Sequence, residues 1–300
     1  MKMLPAHCAV GHPFCAAGRQ RPAETAFTMI EIAISLGVIA FALVAIIGVL
    51  PTGMNVQKEN REETVINQDA NYFINALRGG ARGLDDLTNY VFAITNYQSE
   101  FNANGVSLNV TNLYGYTYVD SSVSPFFRLT NGLRIIGLLG TPEFLPAAPL
   151  GSGNYFSNHI VAFVRALSGY AVEKFPQNDP NVQATAFSYR MTVETVPYVP
   201  FDFNATNYLP PWPPNLPAAT LNELRAISNN WRIANNLLAN SAELRLYFRW
   251  PLLAGGIPGD GRQSYRTLLG GQLLATNDPG WPQPLLYFFQ SQSYTNVNVP

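Results

Sequence analysis

Cysteine is nearly missing from this chain: only two of 300 residues are cysteines, Cys8 and Cys15, and both fall in the first 26 positions. Everything beyond must be held by its core without disulfides. His7 and His12 beside them raise the question of zinc, but the spacing His7-Cys8, His12, Cys15 fits no standard ligand set. A lipoprotein signal is also unsupported, because no apolar run precedes Cys8. Charge is equally scarce, at 12% of residues with a formal net charge of −1. That balance supplies no basic field for nucleic acid and no acidic tail. Histidine is limited to three positions, and only His159 lies beyond the first 26.

What the chain does have is one long apolar run. Phe27 to Leu50 is a stretch whose only charge is Glu31. As a helix rising about 1.5 Å per residue it spans roughly 36 Å, enough for a bilayer core of about 30 Å. An ionisable side chain in such a segment costs roughly 2.5–3.5 kcal/mol at the helix centre and less near an end, so Glu31 is a functional candidate. The preceding stretch carries Lys2, Arg19 and Arg21 against one acid, Glu24, whereas the remainder is mildly acidic. By the positive-inside rule the short basic side stays in the cytoplasm and the long C-terminal part is exported. An ordinary secretory signal has a shorter apolar region, with its small-residue cleavage site after that region. Here the run is too long and the small residue, Ala26, precedes it.

The order basic leader, Ala26, Phe27-Thr28-Met29-Ile30-Glu31, then some twenty apolar residues resembles the cleavage and methylation segment of type IV prepilins and type II secretion pseudopilins. The resemblance covers roughly residues 19–55. It implies cleavage between Ala26 and Phe27 by a prepilin peptidase, with Ala26 standing where the family usually has Gly, and methylation of the new Phe27 amine. It makes Glu31 the fifth mature residue, the position of the family's assembly glutamate. The physical logic is pairing: an ammonium and a carboxylate in apolar surroundings are each costly alone, and bringing them together relieves both. Glu31 of one subunit would neutralise the Phe27 amine of a neighbour and set the register of helices in a filament core. The other reading is a single-pass anchor whose Glu31 reaches toward the headgroups.

Past the run, Gly48, Pro51 and Gly53 are helix breakers, and a kink or melted turn is expected over Gly48–Gly53. Ile66, Ala70, Phe73, Ile74 and Leu77 then recur on one helical face, with Gln57, Glu59, Arg61, Glu62, Gln68 and Asp69 assigned to the solvent side. Gly79-Gly80 supplies a stop. One helix from Phe27 to about Arg78 is therefore predicted.

From about residue 81 the composition shifts to Asn, Tyr, Phe, Gly and Pro, which favours strands and loops. Strands are expected over Leu113–Val119, Phe126–Leu138, Ile160–Ala166, Phe187–Val196, Leu244–Trp250, Ser264–Ala275 and Leu285–Gln290. The Gly-rich Gly255–Gly261 segment reads as a long hairpin turn. The Pro/aromatic stretch between Pro197 and Pro217 reads as a rigid surface crossing. A helix is expected from a Thr220 cap with Glu223 three residues on, carrying Leu221, Leu224, Ile227, Trp231, Ala234, Leu237 and Leu238, with Asn229-Asn230 as a potential break. His159 lacks the companions of a catalytic site, and Asp179, Asn181, Asp260 and Asp278 are too isolated for a calcium loop.

The sequence thus predicts an α+β, pilin-like chain: leader 1–26, membrane helix 27–50, amphipathic continuation 51–80 and an exported β-rich head 81–300. It points to a structural subunit of a pilus-like or secretion pseudopilus filament, with an anchored exported binding protein as the alternative. The partners implied are the prepilin peptidase and methyltransferase, other pilin-like subunits through the N-terminal helix, and an inner-membrane assembly platform. The expected location is the inner membrane, with the head in the periplasm or on a surface filament. No cofactor, metal, enzymatic activity or nucleic-acid partner is expected.

Overall fold

The computed structural model describes residues 27–80, 85–117, 128–147, 153–168, 187–197, 215–278 and 281–296. The leader, the Pro/aromatic positions 198–214, and the ends of two expected strands at 118–119 and 126–127 lie outside them. The fold is α+β and divides into two units, Met1–Gln57 and Lys58–Pro300.

Helix α1 runs Met29–Gly79. It stays helical through Gly48, Pro51 and Gly53, so of the kink or melted turn expected over Gly48–Gly53 no melted turn is present. A single proline removes one backbone donor, and the remaining ladder carries the helix across. In the first unit every large apolar side chain from Phe27 to Val56 is exposed. In the second unit α1 buries Val65, Ile66, Ala70, Phe73, Ala76 and Leu77, a face whose spacing follows the helical repeat. Full burial of side chains such as Ile66 and Phe73 is worth about 1.5–3 kcal/mol each.

These residues cover one face of an antiparallel sheet ordered β2-β1-β4-β5-β6-β7, with β3 pairing β4. The strands are β1 Val91–Phe101, β2 Ser107–Thr117, β3 Phe144–Pro146, β4 Tyr155–Arg165, β5 Ser188–Pro197, β6 Ser241–Leu252 and β7 Pro258–Gly270. Register aligns Ile94, Ala162, Met191 and Phe248 across β1, β4, β5 and β6, and all four are buried. Helix α2, Gly132–Leu139, and the hairpin of β8 Gln272–Asp278 and β9 Trp281–Gln290 contribute Ile135, Ile136, Leu139, Leu286 and Phe289 to the same core. Helix α3, Ala218–Asn240, buries only Ser228.

Several expectations are corrected. In place of the strand expected over Phe126–Leu138, residues 132–139 form α2, capped by Asn131, whose side chain accepts from the Arg134 N–H at 2.8 Å. All of α2 except Leu133 is buried, including Arg134, and eight residues are too few for the helical period to be told from a short strand. A β-carbon on Gly137 would come within 2.6 Å of Leu286 and 2.8 Å of Phe288, so glycine there permits the close approach of α2 to β9. The expected strand Ser264–Ala275 is split at Gly271. That residue has φ +118°, and its N–H donates to Asn240 O at 2.7 Å. The long turn Gly255–Gly261 is instead a short one, closed by Leu253 N–H to Ile257 O at 2.8 Å, and Pro258–Gly261 already belong to β7. Helix α3 begins at Ala218 after Pro217, so Thr220 lies inside it rather than at its cap, and it continues through Asn229-Asn230.

The largest correction concerns Asp69, which is 1% exposed rather than on the solvent side. Its carboxylate accepts from Leu167 N at 2.9 Å, Ser168 N at 3.1 Å, Ser168 Oγ at 2.7 Å and Tyr189 Oη at 2.9 Å. Four donors converge on one carboxylate, which satisfies the rule that buried polar groups are bonded. Asn67, just before it on the same helix, accepts from Gln263 at 3.3 Å and from Tyr265. Arg78 donates to Thr267 at 3.3 Å. The C-terminal part of α1 is thereby tied to the segment after β4, to β5 and to β7 by side chains as well as by its apolar face.

Burial pushes the Asp69 carboxyl above the usual aspartate range, opposed by the hydrogen bonds from Ser168, Leu167 and Tyr189. Burial and the adjacent Asp69 charge push the Tyr189 phenol well up, so it stays a donor. Asp69→Ala leaves four donors without their acceptor and should cost about 1–3 kcal/mol, measured by urea unfolding of the detergent-solubilised full chain. The unfolded chain releases the Asp69 proton at about 3.9, while the folded chain holds it to higher pH. This group's stabilisation is therefore complete below that value and is lost as pH rises through the raised one. Asp69→Asn should flatten that decline in a series of unfolding curves across the weakly acidic range.

Candidate functional site

Two regions carry the polar chemistry, and the first is the start of α1. Thr28 and Glu31 form a reciprocal capping box. The Thr28 N–H and Oγ1 both donate to Glu31 Oε2 at 2.9 Å, and the Glu31 N–H reaches back to Thr28 Oγ1 at 3.4 Å. The pattern Thr-x-x-Glu before an apolar run is a sequence-level signature of a helix start, legible in residues 28–31 alone. Glu31 thus has a partner in its own chain, with both bonds from Thr28 falling on one carboxylate oxygen. Phe27, immediately before the cap, is 81% exposed. Ala26 lies outside the described residues, so the expected cleavage bond is described on one side only. Gly48, Pro51 and Gly53 are exposed helical positions, and a β-carbon at Gly48 or Gly53 would meet nothing within 4 Å.

The second region has no counterpart among the sequence expectations. A cleft of about 480 Å³ opens over the β1-β2-β4 end of the sheet. Its floor is a chain of primary amides from adjacent strands: Asn96 and Gln98 on β1, Asn112 on β2 and Asn158 on β4. Asn158 is 2% exposed and fixes the order of the others. Its Nδ2 donates to Pro142 O at 3.1 Å, and that carbonyl can only accept. Its Oδ1 therefore faces Asn96 and Gln98, which both donate to it at 3.1 Å. Gln98 is left with its Oε1 turned to β2, where Asn112 donates at 3.4 Å. One carbonyl of the main chain thus sets the polarity of four side chains.

Tyr114 from β2 and Tyr287 from β9 also line the cleft, with Phe156, Leu138 and Pro146 supplying apolar wall. Among the described residues no Asp, Glu, Lys, Arg or His lines it. The only hint in the sequence is negative. β1 lacks a clean apolar alternation because its core-facing side passes from Ile94 to the amides Asn96 and Gln98.

The opposite face of the sheet carries its charge in rows. Glu243 pairs with Arg245 at 3.0 Å and Arg266 at 2.8 Å. Those contacts hold the Glu243 carboxyl below its ordinary value, the hydrogen bond from Arg245 contributing most. Further along, Arg190, Arg249 and Arg262 stand directly opposite one another on β5, β6 and β7. His159, on the interior strand β4, sits 4.0 Å from Glu194 on that face and is half exposed. Among the described residues no group of three or more His, Cys, Asp or Glu side chains is placed to hold a metal.

Comparisons with protein-family models, curated proteins and solved structures return no match. Like charges directly opposite on neighbouring strands are destabilising by roughly 0.2–1 kcal/mol. Arg249→Gln should therefore stabilise the chain by about that amount, and the gain should shrink in high salt, as measured by urea unfolding at two ionic strengths.

Proposed function

We propose that this chain is a pilin-like structural subunit, anchored by α1 in the inner membrane and assembled through it into a pilus-like or secretion pseudopilus filament. The observation that carries the reading is α1 itself. Its segment Met29 to Leu50 is long and apolar enough to cross a membrane, the apolar side chains of that segment are exposed on all sides, and its one charge, Glu31, lies at the start. A helix apolar around its whole circumference needs lipid or other helices as its surroundings. Either environment suits a subunit that is stored in a bilayer and then packed into a filament core.

In this reading Ala26–Phe27 is the peptidase bond, the Phe27 amine is methylated, and Glu31 neutralises that amine on a neighbouring subunit. The head is exported, and its role is structural rather than catalytic. A prepilin peptidase, an assembly platform and other pilin-like subunits are the partners this requires.

A second reading is favoured by one specific observation. The Thr28–Glu31 capping box gives Glu31 a task within its own helix, which is all that a non-polymerising membrane-anchored binding protein would need. Glutamine keeps the capping geometry and discards the charge, so it separates the two. In the native host, Glu31→Gln and Glu31→Ala should both abolish incorporation into filaments while leaving processing largely intact. Normal incorporation of Glu31→Gln would refute the pairing role. Mass spectrometry of the mature protein should find N-methylated Phe27 as the first residue, and an intact leader would sink the filament reading.

A further inference from the structure

We propose that the amide-lined cleft is a binding site for a neutral saccharide. This inference concerns the head alone and does not depend on filament assembly. At about 480 Å³ the cleft falls within the range of small-molecule sites, roughly 300–1,000 Å³. Its composition selects the ligand class. With no carboxylate, ammonium, guanidinium or imidazole among the described lining residues, a charged ligand would lose its hydration without gaining a counter-charge there. The occupant must therefore be uncharged.

The polar groups present are of the kind that hydroxyls require. Asn96, Gln98 and Asn112 each donate one N–H within the amide chain, and Asn158 donates one to the Pro142 carbonyl. Asn96 Oδ1 is buried with no hydrogen-bond partner among the described residues, an acceptor that a ligand hydroxyl could meet. Tyr114 and Tyr287 add phenol groups and rings that offer flat apolar faces. Burial raises the Tyr287 pKa, which keeps it protonated. Alternating hydroxyl donors and acceptors on a ring with apolar C–H faces match this mixture of amides and aromatics, which is the chemistry of a sugar.

The site is also rigid before any ligand arrives. Asn158 is locked by the Pro142 carbonyl and in turn orients Asn96 and Gln98, so little side-chain entropy is lost on binding. A neutral peptide is less well served. The backbones of β1 and β4 are paired on both sides along the cleft, so an extended chain would find side-chain groups over the amide floor and could add main-chain bonds only at the outer edge of β2.

The test uses the full chain in a detergent without a sugar headgroup, titrated with chitotriose, lactose and maltotriose and followed by saturation-transfer NMR and calorimetry. Saturable binding of at least one is expected. Asn112→Ala and Tyr114→Ala, both half-buried positions on β2, should each weaken it by about tenfold, the equivalent of one lost hydrogen bond or ring contact. Thermal unfolding of both variants checks that the head remains folded. NMR on the unsubstituted chain decides the matter even if a variant unfolds, by whether saturation transfer reports sugar protons in contact with tyrosine rings. Failure of all three sugars to bind overturns the proposal. So does binding that both folded variants leave unchanged, or displacement of the sugar by an uncharged Ala/Ser/Gly peptide that binds more tightly.

Discussion

One buried carboxylate fixes how the C-terminal part of α1 lies on the sheet. Apolar burial brings Val65, Ile66, Ala70, Phe73 and Leu77 against the strands, but burial is nearly indifferent to sliding and rotation. Hydrogen bonds are directional. Asp69 accepts from two consecutive main-chain N–H groups after β4 and from the Tyr189 hydroxyl at the start of β5, so one register of helix on sheet satisfies it. A shift of one residue would strand a carboxylate in the core, which is far costlier than misplacing a methyl group. The bonds from Asn67 to β7 and from Arg78 to Thr267 extend the same constraint along the helix.

The face that α1 covers is not uniform. Over β4, β5 and β6 it is apolar, with Ala162, Met191 and Phe248 in register. Toward the β1-β2 edge it turns into amides that bond one another instead of packing under a helix. The α2 helix and the β8-β9 hairpin complete the core beside this edge, and their Leu138 and Tyr287 form part of the cleft wall. That part of the sheet stays polar and, among the described residues lining the cleft, uncharged. The N-terminal unit solves a different problem with the opposite material, an apolar surface exposed on all sides with one carboxylate at its start.

Much of this is legible in the chain. The second half of the long helix, its stop at Gly79-Gly80 and the strands around Tyr189 and Leu246 follow from periodicity, because each presents one largely buried and one more exposed face. The failures share a cause. Helix α2 is short and buried nearly all round, its one charge Arg134 included, so its sequence is not distinguished from that of a buried strand. β1 faces the core with Asn96 and Gln98, so it reads as polar loop. Asp69 looks like any solvent-facing acid until its donors, about a hundred residues away, are brought to it. The Thr28–Glu31 box is local and readable, but the same residues sit inside a segment resembling a prepilin signal, which points Glu31 to a partner chain instead.

The sequence alone determined the membrane-length apolar helix, the place of Glu31 at its head and the β-rich character of the remaining chain, since these depend on neighbours within a few turns. Only the tertiary structure decided that Asp69 belongs to the core, that 132–139 is helical and that four amides from three strands meet in one cleft. Those outcomes rest on hydrogen bonds and contacts between distant residues. A chain read one window at a time does not contain the partner that gives each of them its meaning.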